Sequence, residues 1–400
     1  MTGVPEFLTE RAPASPFDPA PTLRPDHEAG PLRRVRLWDG STPWLVTSHV
    51  HQRALLADPR VSTRIDSPGF PNFVEGFSDA GLSFLMMDDP EHNRLRRMVI
   101  SPFTVRRVES MRARVREIVD EALTTMLAGQ KPADLVEGFA LPVPSLVICE
   151  LLGVPYVDHD FFQSNSRTFI HRESSTEQRE SAITALAGYL DDLIGERIAK
   201  PGEDLLSGLA KRVSSAELTR TEAAEIGVLM LIGGHETTAN MIALGTLALL
   251  RDPEQLALLR DREHPDDSAV VASAVEELLR YLSIVHNGRR RAAVADIEIA
   301  GRTIRAGEGI ILVHEVGNRD PEVFADPERL DLRRDAHGHL AFGFGVHQCI
   351  GQPLARLELQ VVFATLFRRI PTLALATELD RIPFKHDGFI YGVYELPVTW

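Results

Sequence analysis

FGFGVHQCIG, residues 342–351, is a glycine-rich loop that presents Cys349, one of the two cysteines of the chain, directly before a predicted helix. Glycine adopts positive φ without strain, so Gly343, Gly345 and Gly351 let the backbone approach a flat ligand. A cysteine at a helix N-terminus lies in positive potential, which we expect to lower the pKa of the thiol and to favour the metal-binding thiolate. A buried thiol in a turn is the alternative interpretation.

Within this loop, the pattern Phe-Gly-x-Gly-x-His-x-Cys-x-Gly resembles the haem-ligand loop of the cytochrome P450 family. In that family the cysteine thiolate is the proximal iron ligand and favours cleavage of the O–O bond. The resemblance implies haem b as the cofactor and Cys349 as its metal ligand, with His347 bonded to a propionate and Phe342 shielding the sulfur. The other cysteine, Cys149, lies in an apolar run and is predicted to be a small buried hydrophobe.

The longest predicted helix covers residues 219–250, about 45 Å at the usual rise per residue. It opens with a capping box formed by Thr219 and Glu222. Its apolar part is interrupted by GGHE at 233–236, where each glycine costs about 1 kcal/mol relative to alanine, so the interruption predicts a functional site. The Thr237 hydroxyl is expected to bond the carbonyl four residues earlier.

The sequence Gly-Gly-x-Glu-Thr at this interruption resembles the oxygen-activation motif of the family. The resemblance implies that Glu236 and Thr237 form an acid–alcohol pair that relays protons while dioxygen is cleaved. Gly233 leaves room for a flat macrocycle beside the helix. His235 receives no role, because members of the family vary at that position.

A third motif, EELLRYL at 276–282, is helical by pattern and places Glu277 and Arg280 on one face. A solvated ion pair is the ordinary interpretation of such spacing. The pair resembles the Glu-x-x-Arg pair with which the family braces the proximal side, and GNRDPEVFADPERLD at 317–331 resembles its partner segment. We interpret these residues as structural and not catalytic.

Haem propionates need cationic partners, and arginine suits carboxylates best. His92 and Arg96 lie four apart on one predicted helical face and match the family's propionate-binding residues. Arg291 matches the arginine that reaches the other propionate. Because Arg289 and Arg290 directly precede it, either of them could take that role instead. Surface charge is the alternative for at least one of these arginines.

Three segments enclose the substrate in the family, and here they correspond to residues 67–85, 158–173 and 386–395. The first is rich in Gly, Pro and Phe, which suits a mobile lid over an apolar ligand. The stretch 314–317 departs from the small or apolar residues usual there, and either a pocket contact or a packing contact explains it. The predicted pocket walls are Phe84, Leu85, Leu229, Ile232 and Ile390.

Helical patterns dominate the chain, and strand patterns are confined to 35–47 and 297–313. The sequence predicts a mainly α protein with a small β region, and the resemblance implies the P450 fold. Because the motifs must converge on one haem, we expect a single haem domain over 21–400 after a flexible, proline-rich N-terminus over 1–20. The absence of a long apolar run and the two unpaired cysteines predict a cytoplasmic monomer without a membrane anchor.

The resemblance covers nearly the whole chain after about residue 20 and is greatest to soluble actinobacterial members. It implies NAD(P)H-driven hydroxylation or epoxidation of a mainly apolar substrate such as a macrolide, another polyketide, a terpenoid or a xenobiotic. A net charge of −14 argues against nucleic acid as a partner. Electrons would come from ferredoxin reductase through a ferredoxin docked on the arginine-rich stretch 94–116. An H2O2-dependent peroxygenase and a non-catalytic haem-binding or electron-transfer protein are the alternatives.

Overall fold

The computed structural model describes residues 4–12, 14–24, 30–73, 83–170, 174–260, 268–386 and 388–400. The α-helices are α1 (His49–Ala57), α2 (Glu91–Val99), α3 (Val105–Glu109), α4 (Arg112–Ala128), α5 (Pro142–Leu152), α6 (His159–Ile170), α7 (Thr176–Ala199), α8 (Leu205–Ser214), α9 (Arg220–Arg251), α10 (Pro253–Arg260), α11 (Ala269–Leu282), α12 (His314–Gly317) and α13 (Gln352–Arg369). The β-strands are β1 (Leu32–Arg34), β2 (Trp44–Val46), β3 (Val61–Ser62), β4 (Ala133–Asp134), β5 (Arg289–Ala293), β6 (Ile297–Ile299), β7 (Arg302–Ile304), β8 (Gly309–Leu312), β9 (Ala374–Leu375) and β10 (Pro397–Thr399). The predicted mainly α architecture with a small β region is confirmed.

Helix α9 is the centre of the helical bundle. It runs for 32 residues and begins at the predicted capping box, in which the side chains of Thr219 and Glu222 bond each other's backbone N–H groups. It packs against α5, α7, α8, α10, α11 and α13, so most of its surface is buried. Such a helix is held by packing on all sides rather than by helix propensity.

The largest sheet has the strand order β1-β2-β8-β5-β3, in which only β2 and β8 pair in parallel. A second sheet has the order β4-β10-β9, and β6 with β7 forms a hairpin. The strand β5, RRRAA, was not among the predicted strands, because three adjacent arginines do not resemble a half-buried strand. Its side chains alternate between the two faces of the sheet, so Arg289 and Arg291 lie on one face and Arg290 on the other.

Part of the predicted flexible N-terminus packs onto the body of the protein. Arg11 is only 2% exposed and donates hydrogen bonds to the carbonyls of Leu282 and Ser283, each at 3.2 Å. Its guanidinium lies over the Tyr391 ring, 4.0 Å from the centroid. This segment therefore bridges the end of α11 and the C-terminal part of the chain.

The unusual residues at 314–317 make packing contacts in the part of the chain that the structure describes. The Nδ1 of His314 lies 2.8 Å from the side-chain oxygen of Gln52, and Glu315 is 3% exposed. Burial raises the pKa of Glu315 to about 7, against the opposing effects of a backbone N–H of Asn287 and the charge of Arg11. The departure from the family pattern is thus part of the packed interior of the protein.

No helix in the described ranges combines the length and the apolar character that a membrane span requires.

We expect Glu315→Gln to stabilise the protein more at high pH than at low pH. Because the pKa of Glu315 is raised in the folded protein, its stabilising contribution is greatest at low pH and is lost as the pH rises through about 7. The gain in the free energy of unfolding should be about 2 kcal/mol larger near pH 8 than near pH 5.5. Chemical denaturation at both pH values measures it, with the exposed Glu322→Gln as the control; an equal gain at both pH values would contradict the assignment.

Candidate active site

The cysteine loop is held by its own backbone. The N–H of Cys349 donates to the carbonyl of Phe342 at 2.9 Å, and Gly343 and Gly345 have φ of 70° and 74°. A side chain on Gly345 would overlap the carbonyl of Leu56, so glycine is required there for two reasons. Gly351 was predicted to adopt positive φ and does not: its φ is −79° because it caps α13 in ordinary geometry.

The expectation of a lowered thiol pKa at Cys349 is wrong. The side chain has exposed surface yet lies deep among protein atoms, and this desolvation raises the pKa of the thiol. A backbone N–H of Gly351 and the charges of Arg289 and Arg96 lower it, but by less. The helix N-terminus therefore does not by itself provide a thiolate. The thiol of Cys149 is 2% exposed and has its pKa raised to about 12 by burial, as expected of a structural cysteine.

Two imidazoles lie together beside the loop. The rings of His92, on α2, and His347 are 4.0 Å apart between centroids. The Nδ1 of His92 is 3.3 Å from the carboxylate of Asp89, while its buried Nε2 has no hydrogen-bond partner among the described residues. Burial, followed by the charges of Arg291 and its neighbours, lowers the pKa of His347 to about 3, so this ring is neutral at physiological pH.

Three arginines surround these imidazoles. Arg96 donates to the carbonyl of Gln348 at 2.6 Å and so ties α2 to the cysteine loop. Arg289 and Arg291 lie on the same face of β5, and burial lowers the pKa of both, that of Arg291 to about 9. Within the described ranges none of the three forms an ion pair with a carboxylate. The cluster therefore holds several positive charges close to Cys349.

Arg290 points away from this cluster. Its guanidinium lies about 5 Å from the ring centroids of Phe70, Phe73 and Phe389. The alternation of β5 divides the three arginines: Arg289 and Arg291 face the cysteine loop, and Arg290 faces the aromatic rings. Arg289, which the family pattern did not select, lies on the same side as Arg291.

On α9, the interruption at 233–237 faces open space at Gly233, whereas His235 and Glu236 are buried. Gly233 is exposed, and an added Cβ would meet no atom within 4 Å. The Thr237 hydroxyl donates to the carbonyl of Gly233 at 2.8 Å, as predicted, while α9 stays helical throughout. Glu236 is 6% exposed and accepts hydrogen bonds at 2.8 Å from Asn240 and from Lys385, two partners that were not predicted.

The predicted pocket walls have different surroundings. Leu229, Ile232 and Ile390 are half-buried. Phe84 is 4% exposed and packs in the core with its ring 6.1 Å from that of His92, whereas Leu85 is 37% exposed. Residues 74–82 of the predicted lid, and 171–173 and 387 of the other two segments, lie outside the described residues.

The predicted brace is fully buried. Glu277 and Arg280 are both inaccessible to solvent and form two hydrogen bonds, at 2.7 and 2.8 Å. Arg280 also donates to the carbonyl of Asn318, inside the predicted partner segment, at 2.8 Å. The third member is Arg334, 3.2 Å from Glu277, which lies beyond the segment selected from the sequence.

A second network, which the sequence did not predict, starts from the adjacent residue. Glu276 pairs with Arg356 at 2.6 Å and with His339 at 3.2 Å. Burial alone would raise the pKa of Glu276, but these two partners lower it to about 2. Arg356 in turn lies over the ring of Phe342, 4.6 Å from its centroid. The only sequence signal for this network is the first carboxylate of the pair EE, Glu276.

An open pocket of about 810 Å³ lies on the far side of α2 and is separate from the cysteine loop. Its lining residues are Asp89, Pro90, Asn93, Arg94, Arg97, Met98, Arg212 and Glu217.

The whole fold, with its cysteine loop, matches one family. Residues 173–371 match the family model described as cytochrome P450. The chain is 54% identical to cytochrome P450 GfsF of Streptomyces halstedii, over 99% of this chain and 96% of that protein. This chain belongs to the cytochrome P450 family. The solved structure of GfsF superposes on this P450 with a TM-score of 0.94, covering 99% of this chain and 100% of the other.

Two further relatives show the same relationship. Cytochrome P450-SU2 of Streptomyces griseolus is 50% identical over 100% of this chain and 98% of that protein. The structure of mycinamicin VIII C21 methyl hydroxylase MycCI from Micromonospora griseorubida, bound to mycinamicin VIII, has 44% identity and a TM-score of 0.84 over 92% of this chain and 93% of the other. The protein is accordingly a P450 monooxygenase with the P450 fold.

The residues present fit the haem-thiolate cofactor that the family implies. Cys349 offers a sulfur ligand. Three arginines without carboxylate partners among the described residues, and the unpartnered Nε2 of His92, suit the two propionates of a haem. The open face at Gly233 gives room beside α9.

We expect Arg280→Met to destabilise the protein by about 3 to 5 kcal/mol, because it leaves the carboxylate of Glu277 buried with too few partners. The matched control is Arg305→Met, which breaks a pair with Asp296 whose side chains are 66% and 51% exposed; because water screens this pair, the variant should be nearly as stable as the wild type. Chemical denaturation compares the two variants. Equal losses would show that the buried pair is not a brace.

Proposed function

We propose that this P450 inserts one atom of dioxygen into a C–H or C=C bond of a mainly apolar, medium-to-large molecule, such as a macrolide, another polyketide, a terpenoid or a xenobiotic. The second oxygen atom leaves as water, which requires two electrons and two protons per turnover. The observation that carries this proposal is the pair Glu236 and Thr237, which stand one helical turn from the open position at Gly233 on an otherwise buried helix. A carboxylate is costly in the interior, so its place beside a hydroxyl and an open position favours a functional role in addition to its contacts with Lys385 and Asn240.

The cofactor in this proposal is haem b, which when bound supplies the activation of dioxygen and the transfer of one oxygen atom. Cys349 provides its ligand, and the positive cluster neutralises its propionates. Because the surrounding protein raises the pKa of the free thiol, the metal itself has to stabilise the thiolate. The residues that we assign to haem binding are His92, Arg96, Arg289, Arg291, Gly233, Phe342, His347, Cys349 and Gly351.

Proton delivery is assigned to Glu236 and Thr237. The Thr237 hydroxyl commits its proton to the carbonyl of Gly233, so its oxygen can accept a hydrogen bond from water in the pocket. One carboxylate oxygen of Glu236 accepts hydrogen bonds from both Asn240 and Lys385. The other oxygen is left for proton exchange with water.

Apolar surface supports the substrate class. Leu229 and Ile232 lie on α9 close to Gly233, and Ile390 and Phe389 come from the C-terminal part of the chain. The relative MycCI, by its description, acts on a methyl carbon of mycinamicin VIII and was solved with that compound bound. From this relative we infer for this P450 only a class of substrate, a large organic molecule, and not the identity of the compound.

Spectroscopy tests the central assignment. We expect the wild-type holoenzyme, reduced and bound to carbon monoxide, to give the Soret band of a thiolate-ligated haem, and Cys349→Ser to lose it. Cys149→Ala is the control, because its thiol is buried in the core, and it should keep the band. Retention of the band in Cys349→Ser would refute the ligand assignment.

A second experiment separates the monooxygenase from the peroxygenase and from the non-catalytic protein. Macrolide, terpenoid and xenobiotic probes are screened for substrate-induced spectral shifts, and those that bind are then tested for turnover with NAD(P)H or with H2O2.

The electron donor is proposed to be an acidic ferredoxin, itself reduced by a ferredoxin reductase. Arg97 and Arg106 are exposed on α2 and α3, and Val105 and Ile100 beside them are 73% and 48% exposed. Helix α3 packs against α13, the helix that follows Cys349. Charge around an apolar centre is suited to transient docking. Arg112, which also lies in the arginine-rich stretch 94–116, is half-buried and donates hydrogen bonds to the side chains of Glu109 and Gln360, so we leave it out of the docking surface.

We expect Arg97→Glu with Arg106→Glu to slow reduction by ferredoxin at least about 10-fold at low salt and to weaken its salt dependence. Stopped-flow reduction over a range of ionic strength measures both effects. Arg302→Glu, an exposed charge change on β7, is the control and should leave the rate unchanged. Equal rates in the double variant and the wild type would refute the docking surface.

A further inference from the structure

The carboxylate of Glu236 is joined to a distant part of the chain. We define the C-terminal hairpin as residues 384–386 and 388–393, whose ends are joined by the bridge between Phe384 and Val393. Within it, the Nζ of Lys385 donates to the Oε1 of Glu236 at 2.8 Å, and the two side chains are 16% and 8% exposed. An ion pair so shielded from water is not weakened as an exposed pair is.

Asn240 completes the arrangement from one helical turn further along α9. Its amide Nδ2 donates to the Oε1 and to the backbone carbonyl of Glu236, both at 2.8 Å. Among the described residues both side-chain donors engage Oε1 and none donates to Oε2. One carboxylate oxygen is therefore fixed and the other is left for exchange.

The hairpin is built to lie against α9 at this point. A side chain on Gly392 would overlap the side chain of Asn240, so only glycine permits the approach. The same hairpin is anchored to the segment after α11, where Ile390 bridges Val285 and the N–H of Tyr391 donates to the carbonyl of Ile284 at 2.7 Å.

We propose that Lys385 is a positioning residue: it fixes one oxygen of Glu236, so that the other exchanges protons, and it joins this carboxylate to the hairpin that carries Ile390 and Phe389. The proposal rests on the proposed function of Glu236. In this role Lys385 only holds the carboxylate in place, and Glu236 takes one proton from water for each proton that it gives up. Contact of a substrate with the hairpin is thereby linked to the position of the proton-relay carboxylate.

A double-mutant cycle in thermal unfolding tests the pair without any turnover. We expect Lys385→Met to lower the midpoint of unfolding by about 3 °C in the wild-type background. In the background of Glu236→Gln the same change should cost clearly less, because the carboxylate is already gone. Equal losses in both backgrounds would overturn the proposal.

Kinetics of the holoenzyme test the positioning itself, with dioxygen as the only oxidant and a surrogate ferredoxin as the donor. We expect Lys385→Met to slow NAD(P)H consumption about 10-fold and to raise the solvent deuterium isotope effect about two-fold, since proton transfer becomes limiting. Lys385→Arg, which keeps the charge, should restore both values to near those of the wild type. Lys211→Met, on the exposed side of α8, is the matched control and should behave as the wild type does.

The two possible failures can be told apart. If the wild type shows no thiolate-type Soret band and no dioxygen-dependent consumption of NAD(P)H, the proposed function fails. If the wild type shows both and Lys385→Met has the same rate and isotope effect, only the role of Lys385 is refuted.

Discussion

The buried ion pair between Glu277 and Arg280 is the interaction on which the cysteine loop depends. Arg280 bonds backbone carbonyls of the segment that follows α12, including that of Asn318, and the side chain of Asn318 in turn accepts the N–H of Leu340. Buried backbone carbonyls need donors, and in a segment without regular structure side chains supply many of them. The pair therefore fixes the path of the chain into the loop that presents Cys349.

Electrostatics around the loop follow from burial more than from helix geometry. Desolvation raises the pKa of Cys349 and lowers those of His347 and Arg291, so each group is shifted towards its neutral form. A dianionic ligand with a metal centre would oppose each of these effects, because it would supply negative charge to the arginines and a positive centre to the sulfur. The charges around the loop therefore fit the haem-thiolate cofactor that the family implies.

The sequence predicted most of the fold and the individual motifs, because the long helix, its capping box and the cysteine loop are local patterns. Prediction from the sequence failed where segments far apart in the chain determine the surroundings of a side chain. Arg334 and Lys385 act on Glu277 and Glu236 across 57 and 149 residues, and no spacing rule joins such positions. The prediction of a lowered thiol pKa at Cys349 was wrong for the same reason. The sequence shows that the cysteine precedes a helix, but it does not show how deeply the surrounding protein buries the thiol.

Strand β5 links the two sides of the site. Because its side chains alternate, Arg289 and Arg291 face the cysteine loop while Arg290 faces the rings of Phe70, Phe73 and Phe389. Phe70 and Phe73 lie in the predicted lid, and Phe389 belongs to the C-terminal hairpin, so one strand contacts both the cysteine loop's side and two of the segments that we propose to enclose the substrate. A shift of β5 that moved Arg291 would also move Arg290. In the proposed function, the segments around the substrate are therefore joined to the same backbone that presents Arg289 and Arg291 to the cofactor.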